Sequence, residues 1–416
     1  MLRCGLLGRK LGHSYSPEIH ACLGDYEYKL WEKEPDALED FLKNGSFDGL
    51  NVTIPYKKAV IPYCAELSPV ARRLGAVNTI VRPPDGSLIG HNTDYHGFSC
   101  LLRRSGLEIS GKKCLVLGSG GASVTVVAVL EEAGANVVVI SRGGENNYDN
   151  LHLHADAALI VNATPVGMYP NTEEAPLSLE GFPKLEGVLD LIYNPIRTKL
   201  IMAAEERGIV ALGGLRMLVE QARESSEWFT GTRLSDGAVS KAWENVHMRR
   251  TNIVLVGMPG CGKSTIARCL NRLGIGKEVV DADRRIADLA GMSIPEIFAK
   301  SGEAGFRKLE TAALAQIGKG SGQIIATGGG CVTRPENYGL LHQNSVIFWI
   351  RRDLSKLPTD GRPLSQTTAL TDMYRVREPM YRAFADFTVS NNGSVEAAAE
   401  AIKRQFLAWC REEYAT

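Results

Sequence analysis

Residues 257 to 264 read Gly-Met-Pro-Gly-Cys-Gly-Lys-Ser, the G-x-x-x-x-G-K-S spacing of a loop that wraps a polyphosphate. The apolar run before it, Ile253 to Val256, has the character of a fully buried parallel strand, and Thr265 to Leu273 suits a helix. The chemistry requires these residue types. Glycines let backbone N–H groups curl around phosphates, and a helix starting near Lys263 adds its positive end. Lys263 reaches the outer phosphates and Ser264 offers a hydroxyl to Mg²⁺, while Gly260, Cys261, Gly262 and Thr265 complete the expected ATP-binding stretch. A chance match in a glycine-rich chain is the competing explanation, and the flanking strand and helix argue against it.

A chain of 416 residues has room for two or three domains. Lysine plus arginine balances aspartate plus glutamate at 47 each, so no net charge favours nucleic acid or an anionic membrane. No apolar run approaches the roughly 18 residues that span a bilayer. The first residues, Met1 to Gly8, read as a strand rather than a signal peptide. Nine cysteines are scattered without C-x-x-C or zinc-type spacing, read as reduced thiols and suggest a cytoplasmic protein. His152 and His154 read as a polar loop rather than a metal site.

In the first half, Gly12 to Pro17 turns into a helix, with Ser16 as its expected cap and Pro17 in its first turn. Gly49 to Ile54 is a strand that passes through Pro55 into a helix. That sets Asn51, Thr53 and Lys57 at a strand's carboxyl end, where open α/β sheets bind ligands. Gly75 to Thr79 opens a strand, Pro83 to Gly86 makes a hairpin turn, and Gly90 to Asp94 closes the return. Asp94 starts a helix to about Ser105, where a simple capping role is the plainer alternative. Lys113 to Leu117, the turn Gly118-Ser119-Gly120-Gly121-Ala122, a helix ending at Gly134 and the strand Asn136 to Ile140 have the βαβ geometry of a dinucleotide site. The second strand ends in Ser141-Arg142 instead of the acid that an NAD ribose prefers. Arg142 suits a 2′-phosphate, so the expected cofactor is NADP(H). Further strands are expected at Ala158 to Asn162 and Val188 to Leu191. Helices are expected at Lys199 to Arg207, Met217 to Ala222 and Ser235 to Val246, the last followed by a short join.

Residues 1 to about 246 resemble a shikimate dehydrogenase. The likeness rests on His13 to Pro17, Asn51 to Lys57, Gly75 to Thr79, Asn92 to Asp94, the Gly-rich turn, Asn162 to Met168, Asp190 to Pro195 and Met217 to Gln221, in the family's order. It implies an α/β substrate domain of residues 1–105, with 214–246 returning to it, and a Rossmann NADP domain of 106–213. It also implies that Ser14, Ser16, Thr53, Asn78 and Gln221 hold the substrate and that Lys57 and Asp94 form the catalytic pair. NADP would lie on Gly118, Ser119, Gly120, Gly121, Ala122, Ser141 and Arg142. The Ser-x-Ser pair resembles members that prefer shikimate. The implied reaction, NADPH-linked reduction of 3-dehydroshikimate, suits a lysine ammonium beside a carboxylate, because the developing alkoxide needs a proton. Such groups contribute on the order of 10² to 10⁴ in rate. Two departures stand out. Gln221 is followed by Ala222-Arg223 where the family has Gly-Ala, which suggests crowding by the Ala222 side chain. Gly143-Gly144 follows Arg142 where many members carry a second basic residue, which weakens the expected preference for NADP.

In the second half, Glu278 to Asp283 is a strand ending in two acids. The period-2 spacing of Asp281 and Asp283 would point both the same way, as a Mg²⁺ ligand and a hydroxyl-orienting base require. Helices follow around Asp288 and from Ile294 to Lys300, and Gly302 to Glu310 opens another. The strand Ile324 to Thr327 ends at Gly328-Gly329-Gly330, where only backbone can approach a ligand closely. Val346 to Ile350 is one more strand, Gly361-Arg362-Pro363-Leu364 lies in a lid-like polar segment, and a helix runs from Val395 to about Arg411. With Phe306-Arg307-x-x-Glu310 and Arg377-x-Pro379-x-Tyr381, residues 251–416 resemble shikimate kinase, a P-loop domain of nucleoside-monophosphate-kinase type with a parallel sheet. The resemblance implies that Asp283 takes or orients the hydroxyl proton and that Arg307 and Arg377 grip the substrate carboxylate. Gly329 and Gly330 would line the ring, Arg362 would close over ATP, and Lys263, Ser264 and Asp281 would serve ATP and Mg²⁺. Planar arginine forks suit a carboxylate held at fixed orientation. The basic adenine-contacting residues usual near Asn391-Asn392 are absent.

The resulting expectation is a bifunctional α/β enzyme acting on 3-dehydroshikimate, shikimate, ATP and NADPH, with neither nucleic acid nor membrane as partner. No feature of the sequence specifies an oligomeric state. An idle first half fused to a live kinase is opposed by Lys57 and Asp94, and quinate oxidation with NAD by Ser16 and Arg142. A transcriptional regulator is opposed by the lack of a basic recognition helix.

Overall fold

Strand β1 (Arg3–Gly8) is buried beyond its first residue and centres the first sheet. The chain places β2 (Glu27–Glu32) and β3 (Gly49–Val52) parallel to it on either side. Beyond β3 the direction reverses, because β5 (Thr79–Val81) and β6 (Ile89–His91) form the expected hairpin, closed by Gly86 N donating to Pro83 O at 3.0 Å. With β4 (Glu66–Leu67) at the edge, the order is β2-β1-β3-β5-β6-β4. These features come from a computed structural model that describes residues 1–12, 14–357 and 370–415, with side chains to residue 411. The chain divides into two compact units, Met1–Val246 and His247–Thr416.

The first unit holds a second, all-parallel sheet of β7 (Lys113–Leu117), β8 (Asn136–Ile140), β9 (Leu159–Asn162), β10 (Gly187–Asp190) and β11 (Val210–Leu212), in the order β11-β10-β9-β7-β8. The order reverses at β7, and the Gly-rich turn follows that strand, so the turn sits at the switch point where such sheets take ligands. Helix Leu215–Thr230, longer than the expected Met217 to Ala222, leaves this sheet and packs on the first one. There Ser225 meets Thr79 at 2.9 Å and Phe229 joins the Cys4–Tyr26 cluster.

The second unit is a parallel sheet ordered β13-β14-β12-β15-β16, with β12 (Asn252–Val256) in the centre beside β14 (Gln323–Ala326) and β15 (Ser345–Arg351), and β13 (Glu278–Asp281) and β16 (Phe387–Ser390) outermost. Every residue of β12 is buried, as a central parallel strand covered on both faces requires. The phosphate loop follows β12 at the reversal of strand order and feeds helix Lys263–Arg272. Helix Ile294–Lys319 begins with a capping box, Ser293 N donating to Glu296 Oε2 at 2.7 Å, and breaks at Gly302, where φ is 64°.

Four local expectations are corrected. Residues 54–60 form successive turns instead of a helix, because Lys57 O accepts from Val77 N at 2.8 Å and buried Tyr56 donates to Lys33 O at 2.5 Å. The first bond takes the Lys57 carbonyl that a helix would use, and the second ties the Tyr56 side chain to the strand region before it. Tyr15, not Ser16, is the N-cap of helix Ser16–Leu23, while Ser14 Oγ accepts from Ser16 N at 3.2 Å. Only Asp281 lies on β13, since Asp283 is already in the first turn of helix Ala282–Ala290, so strand alternation does not relate the two acids. The closing helix runs from Asp236 to Arg250 through the expected join, leaving Thr251 before β12.

Candidate active sites

In the first unit, one cavity of about 210 Å³ is lined by Ser14, Ser16, Thr53, Lys57, Asn78, Asp94 and Gln221. Seven residues from six separate stretches of chain thus meet on one wall system. The loop after β1 brings Ser14, helix Ser16–Leu23 brings Ser16, and the chain beyond β3 brings Thr53 and Lys57. Asn78 stands just before β5, Asp94 begins helix Asp94–Ser105, and Gln221 comes from helix Leu215–Thr230. Lys57 Nζ donates to Asp94 Oδ2 at 2.6 Å, with the two side chains 19% and 12% exposed. An ammonium and a carboxylate this close and this dry can pass a proton while remaining oriented.

Behind this wall lies a hydrogen-bond network that the sequence did not reveal. Asn78 Nδ2 donates to Thr93 Oγ1 at 3.0 Å, Thr93 N donates to Asn78 Oδ1 at 2.7 Å, and Asn51 Nδ2 donates to Ser225 Oγ at 2.8 Å. Tyr28 donates to Asn51 Oδ1 at 2.7 Å and stacks on His20 at 4.0 Å. Burial drives His20 down to about 3, so its ring is neutral, and Nδ1 is paired with Tyr26 OH at 2.7 Å. Ser225 follows Gln221 by four residues, so helical spacing could have flagged it. Nothing local marks Tyr193, which also lines the cavity. Ala222 is fully buried and lies off the cavity wall, which removes the expected crowding. Arg223 is held by Glu227 at 3.4 Å and Asp236 at 3.0 Å.

The Gly-rich turn borders the same cavity through Ala122. Gly118 has φ of 103°, and a methyl on it would lie 2.9 Å from Thr164 Cγ2. An added Cβ at Gly120 or Gly121 would meet only open space, and no side chain caps helix Gly121–Glu132. Free first-turn N–H groups over an open, glycine-lined floor fit a dinucleotide pyrophosphate. Ser119 is exposed, while Ser141 and exposed Arg142 stand at the carboxyl end of β8. Ser141 N donates to Asn146 O at 3.1 Å, which folds the loop back beside Arg142.

In the second unit, a cavity of about 590 Å³ is lined by Gly260, Gly262, Lys263, Ser264, Thr265, Asp283, Arg307, Gly329, Gly330 and Arg377. Gly257, Gly260 and Gly262 have φ of 144°, 84° and 102°, which the loop's curl requires. Lys263 Nζ donates to Gly257 O at 2.8 Å and Met258 O at 3.1 Å, which folds it back over the loop. Cys261 is fully buried and off the cavity wall, and its carbonyl accepts from Asn391 Nδ2 at 2.7 Å. The two acids, now on different elements, face different partners. Asp281 caps its helix and accepts from Ser264 Oγ at 2.9 Å, whereas Asp283 faces the cavity. A hydroxyl and a carboxylate in contact beside a phosphate loop are hard oxygen donors that fit Mg²⁺.

The three glycines at 328–330 are explained by what stands opposite them. A methyl on Gly330 would lie 2.0 Å from Arg307 Nη2, one on Gly329 would lie 2.6 Å from Pro259 Cδ, and one on Gly328 would lie 2.6 Å from Glu310 Oε1. Arg307 donates to Glu310 Oε2 at 2.6 Å and Glu303 Oε1 at 3.2 Å, while its buried Nε has no partner among the described residues. Burial, with Asp283 adding to it, pushes Glu310 above the usual carboxylate range against the pull of Arg307. Arg377 Nη1 donates to Gly329 O at 3.2 Å, and Tyr381 OH donates to the same carbonyl. Arg352 and Phe298 also line the cavity and were not anticipated. Arg362 lies outside the described residues.

Two unlike clefts, one on a dinucleotide-type sheet and one on a phosphate-loop sheet, define a chain with two nucleotide-using enzyme units. Comparison with known proteins agrees. The family profile described as "Shikimate dehydrogenase substrate binding domain" matches residues 6–80, and the one described as "Shikimate kinase" matches residues 259–408. A "Shikimate dehydrogenase (NADP(+))" of Clostridium perfringens (strain SM101 / Type A) is 37% identical over 268 residues, 59% of this chain and 98% of the relative. The chain belongs to the shikimate dehydrogenase family, and its second unit carries a shikimate kinase domain. Among solved structures, a chorismate mutase/shikimate 5-dehydrogenase fusion protein from Clostridium acetobutylicum aligns with a TM-score of 0.56 at 36% identity, covering 59% of this chain and 97% of that one. Shikimate 5-dehydrogenase from Thermus thermophilus, in complex with NADP(H) and shikimate, aligns at 0.54 and 34% identity, covering 58% and 98%. No helix among the described residues is long and apolar enough to cross a membrane, and all nine cysteines are free thiols.

Proposed function

We propose that the chain performs two consecutive reactions in the cytoplasm, reducing 3-dehydroshikimate to shikimate with NADPH and phosphorylating shikimate with ATP. The observation that carries the first is the meeting of Ser14, Ser16, Thr53, Lys57, Asn78, Asp94 and Gln221 on one cavity. NADPH, when bound along residues 118–122 with Arg142 at its 2′-phosphate, supplies the hydride. Ser14, Ser16, Thr53, Asn78 and Gln221 hold the ring by its hydroxyl and carboxylate groups. Lys57 Nζ delivers the proton to the oxygen of the reduced carbonyl, and Asp94 keeps the ammonium aimed. The domain boundaries that accompany this reading are 1–105 with 214–246, 106–213 and 251–416.

In the second unit, Arg307 and Arg377 bind the shikimate carboxylate, the free Nε of Arg307 being one donor toward it. Gly329 and Gly330 face the ring, and Asp283 accepts the proton of the attacking hydroxyl. Lys263 neutralises the outer phosphates, Arg362 closes over them, and Ser264 and Asp281 hold Mg²⁺, which offsets phosphate charge when bound. The test is to give the full chain 3-dehydroshikimate, NADPH and Mg-ATP together and to follow shikimate and shikimate 3-phosphate. Appearance of both supports the proposal. Phosphorylation of added shikimate without NADPH oxidation would reduce the first unit to a binding module, and quinate turnover with NAD would replace its substrate.

A further inference from the structure

The packed helices Asp94–Ser105 and Leu215–Thr230 carry a group of side chains that neither reaction uses. His96 Nε2 lies 3.5 Å from Cys100 Sγ on the same helix, and Glu220 Oε2 reaches to 3.8 Å of the imidazole from the other. All three ligand atoms lie within 4.8 Å of one another. The close approach is built in, since a methyl on Gly97 would lie 2.6 Å from Met217 O.

The geometry points to a transition-metal site at His96, Cys100 and Glu220, of the borderline-soft class represented by Zn²⁺. Metal–nitrogen and metal–sulfur bonds of Zn²⁺ set the two ligand atoms of a tetrahedral site about 3.5 Å apart. The His96–Cys100 pair already has that edge, the His96–Glu220 edge needs to close by only a few tenths of an ångström, to about 3.4 Å, and the third edge, Cys100 to Glu220, lies within 4.8 Å. Glu220 is 5% exposed, and its Oε2 accepts no hydrogen bond among the described residues, so a buried carboxylate oxygen is aimed at the cluster with only the longer ion-pair contacts to His96 and Arg223, each at 3.8 Å. A mixed nitrogen, sulfur and oxygen set selects Zn²⁺ over Mg²⁺ or Ca²⁺, which take oxygen donors. His96 is 36% exposed, which leaves a side open for entry and for a water as fourth ligand. Two cations border the cluster. Arg103 Nη2 donates to Cys100 Sγ at 3.1 Å from an exposed position, and Arg223 Nη1 lies 3.8 Å from Glu220 Oε2. Both have solvent or other acids to turn to when a metal enters. Because one ligand helix begins with Asp94 and the other carries Gln221, the bound ion clamps together two elements of the first cavity's wall.

The experiment uses the full chain stripped with chelator, then titrated with Co²⁺ and with Zn²⁺. The expected result is one ion per chain, a thiolate-to-cobalt charge-transfer band, displacement of that band by Zn²⁺, and a higher Tm. Cys100→Ser should abolish the band, and Glu220→Gln and His96→Gln should each weaken Zn²⁺ binding at least about tenfold. Cys64→Ser, away from the cluster, should change none of these. Circular dichroism of each metal-free variant checks its fold. Absence of the band in the wild-type chain, or an unchanged band and stoichiometry in Cys100→Ser, would overturn the proposal and leave His96 and Glu220 as an ion pair.

Discussion

Lys57 Nζ and Asp94 Oδ2 are in contact at 2.6 Å, although 37 positions separate the two residues in the chain. The lysine sits in a turn beyond β3 and the aspartate at the start of a helix, so only the folded first sheet joins them. Replacing Lys57 by Ala should lower NADPH oxidation with 3-dehydroshikimate by about 10² to 10⁴ while ATP-dependent phosphorylation continues. Lys263→Ala should do the reverse. Both rates, measured on the same purified variants, decide the matter. A single change that silences both reactions in a folded chain contradicts two separate sites.

A side chain at position 330 has no room, because Arg307 occupies the space and is tied down by Glu303 and Glu310. Gly330→Ala should displace the guanidinium and raise the KM for shikimate about tenfold, equivalent to about 1.4 kcal/mol. The KM for ATP should stay near its wild-type value. An equal rise in both constants would place the damage in the nucleotide loop instead.

Glu310 has a fully buried side chain and is ion-paired to Arg307 at 2.6 Å. Removing it by Glu310→Ala leaves a buried guanidinium with only the half-exposed Glu303, at a cost of about 3–5 kcal/mol. Glu310→Gln keeps the shape and one acceptor and should be milder. Urea denaturation of the two variants gives the order, and a smaller loss for Ala than for Gln would show that the pair is not holding the arginine.

Asp190 is fully buried at the end of β10, accepting from Thr198 Oγ1 at 2.7 Å, Ile192 N at 3.0 Å and Asn162 Nδ2 at 3.1 Å. Burial nevertheless dominates and raises its carboxyl from 3.8 to about 6. The sign follows from proton binding. The folded chain holds this proton more tightly than the unfolded one, so the contribution is fully present below about pH 4 and is lost as pH rises through 6. The span is on the order of 3 kcal/mol. Asp190→Asn should flatten this part of the stability profile between pH 4 and 6, as read from Tm against pH. An unchanged slope in the variant would assign it to another group.

Much of the second unit was legible from residues 252 to 265 alone. A buried strand, glycines with positive φ and a following helix are all set by short-range sterics and hydrogen bonding, and each leaves a local pattern. The same holds for the β5–β6 hairpin and the βαβ turn after β7. The Lys57 turn misled because its decisive bonds, to Val77 and Lys33, come from other elements. The pairing of Asp281 and Asp283 misled because a helix began one residue before the second acid.

By itself the chain of residues determined which segments become strands, which loops can approach a phosphate, and which polar groups are available for proton transfer. Tertiary structure alone decided that Gln221 faces the pocket while Ala222 turns into the core. It also decided that Arg307 fills the space left by Gly330, and that Glu220 reaches His96 and Cys100 from a helix more than a hundred positions away. Local patterns record the conformational limits of neighbouring residues. The distance between residues far apart in the chain depends on how whole elements pack, and no short stretch of sequence records that packing.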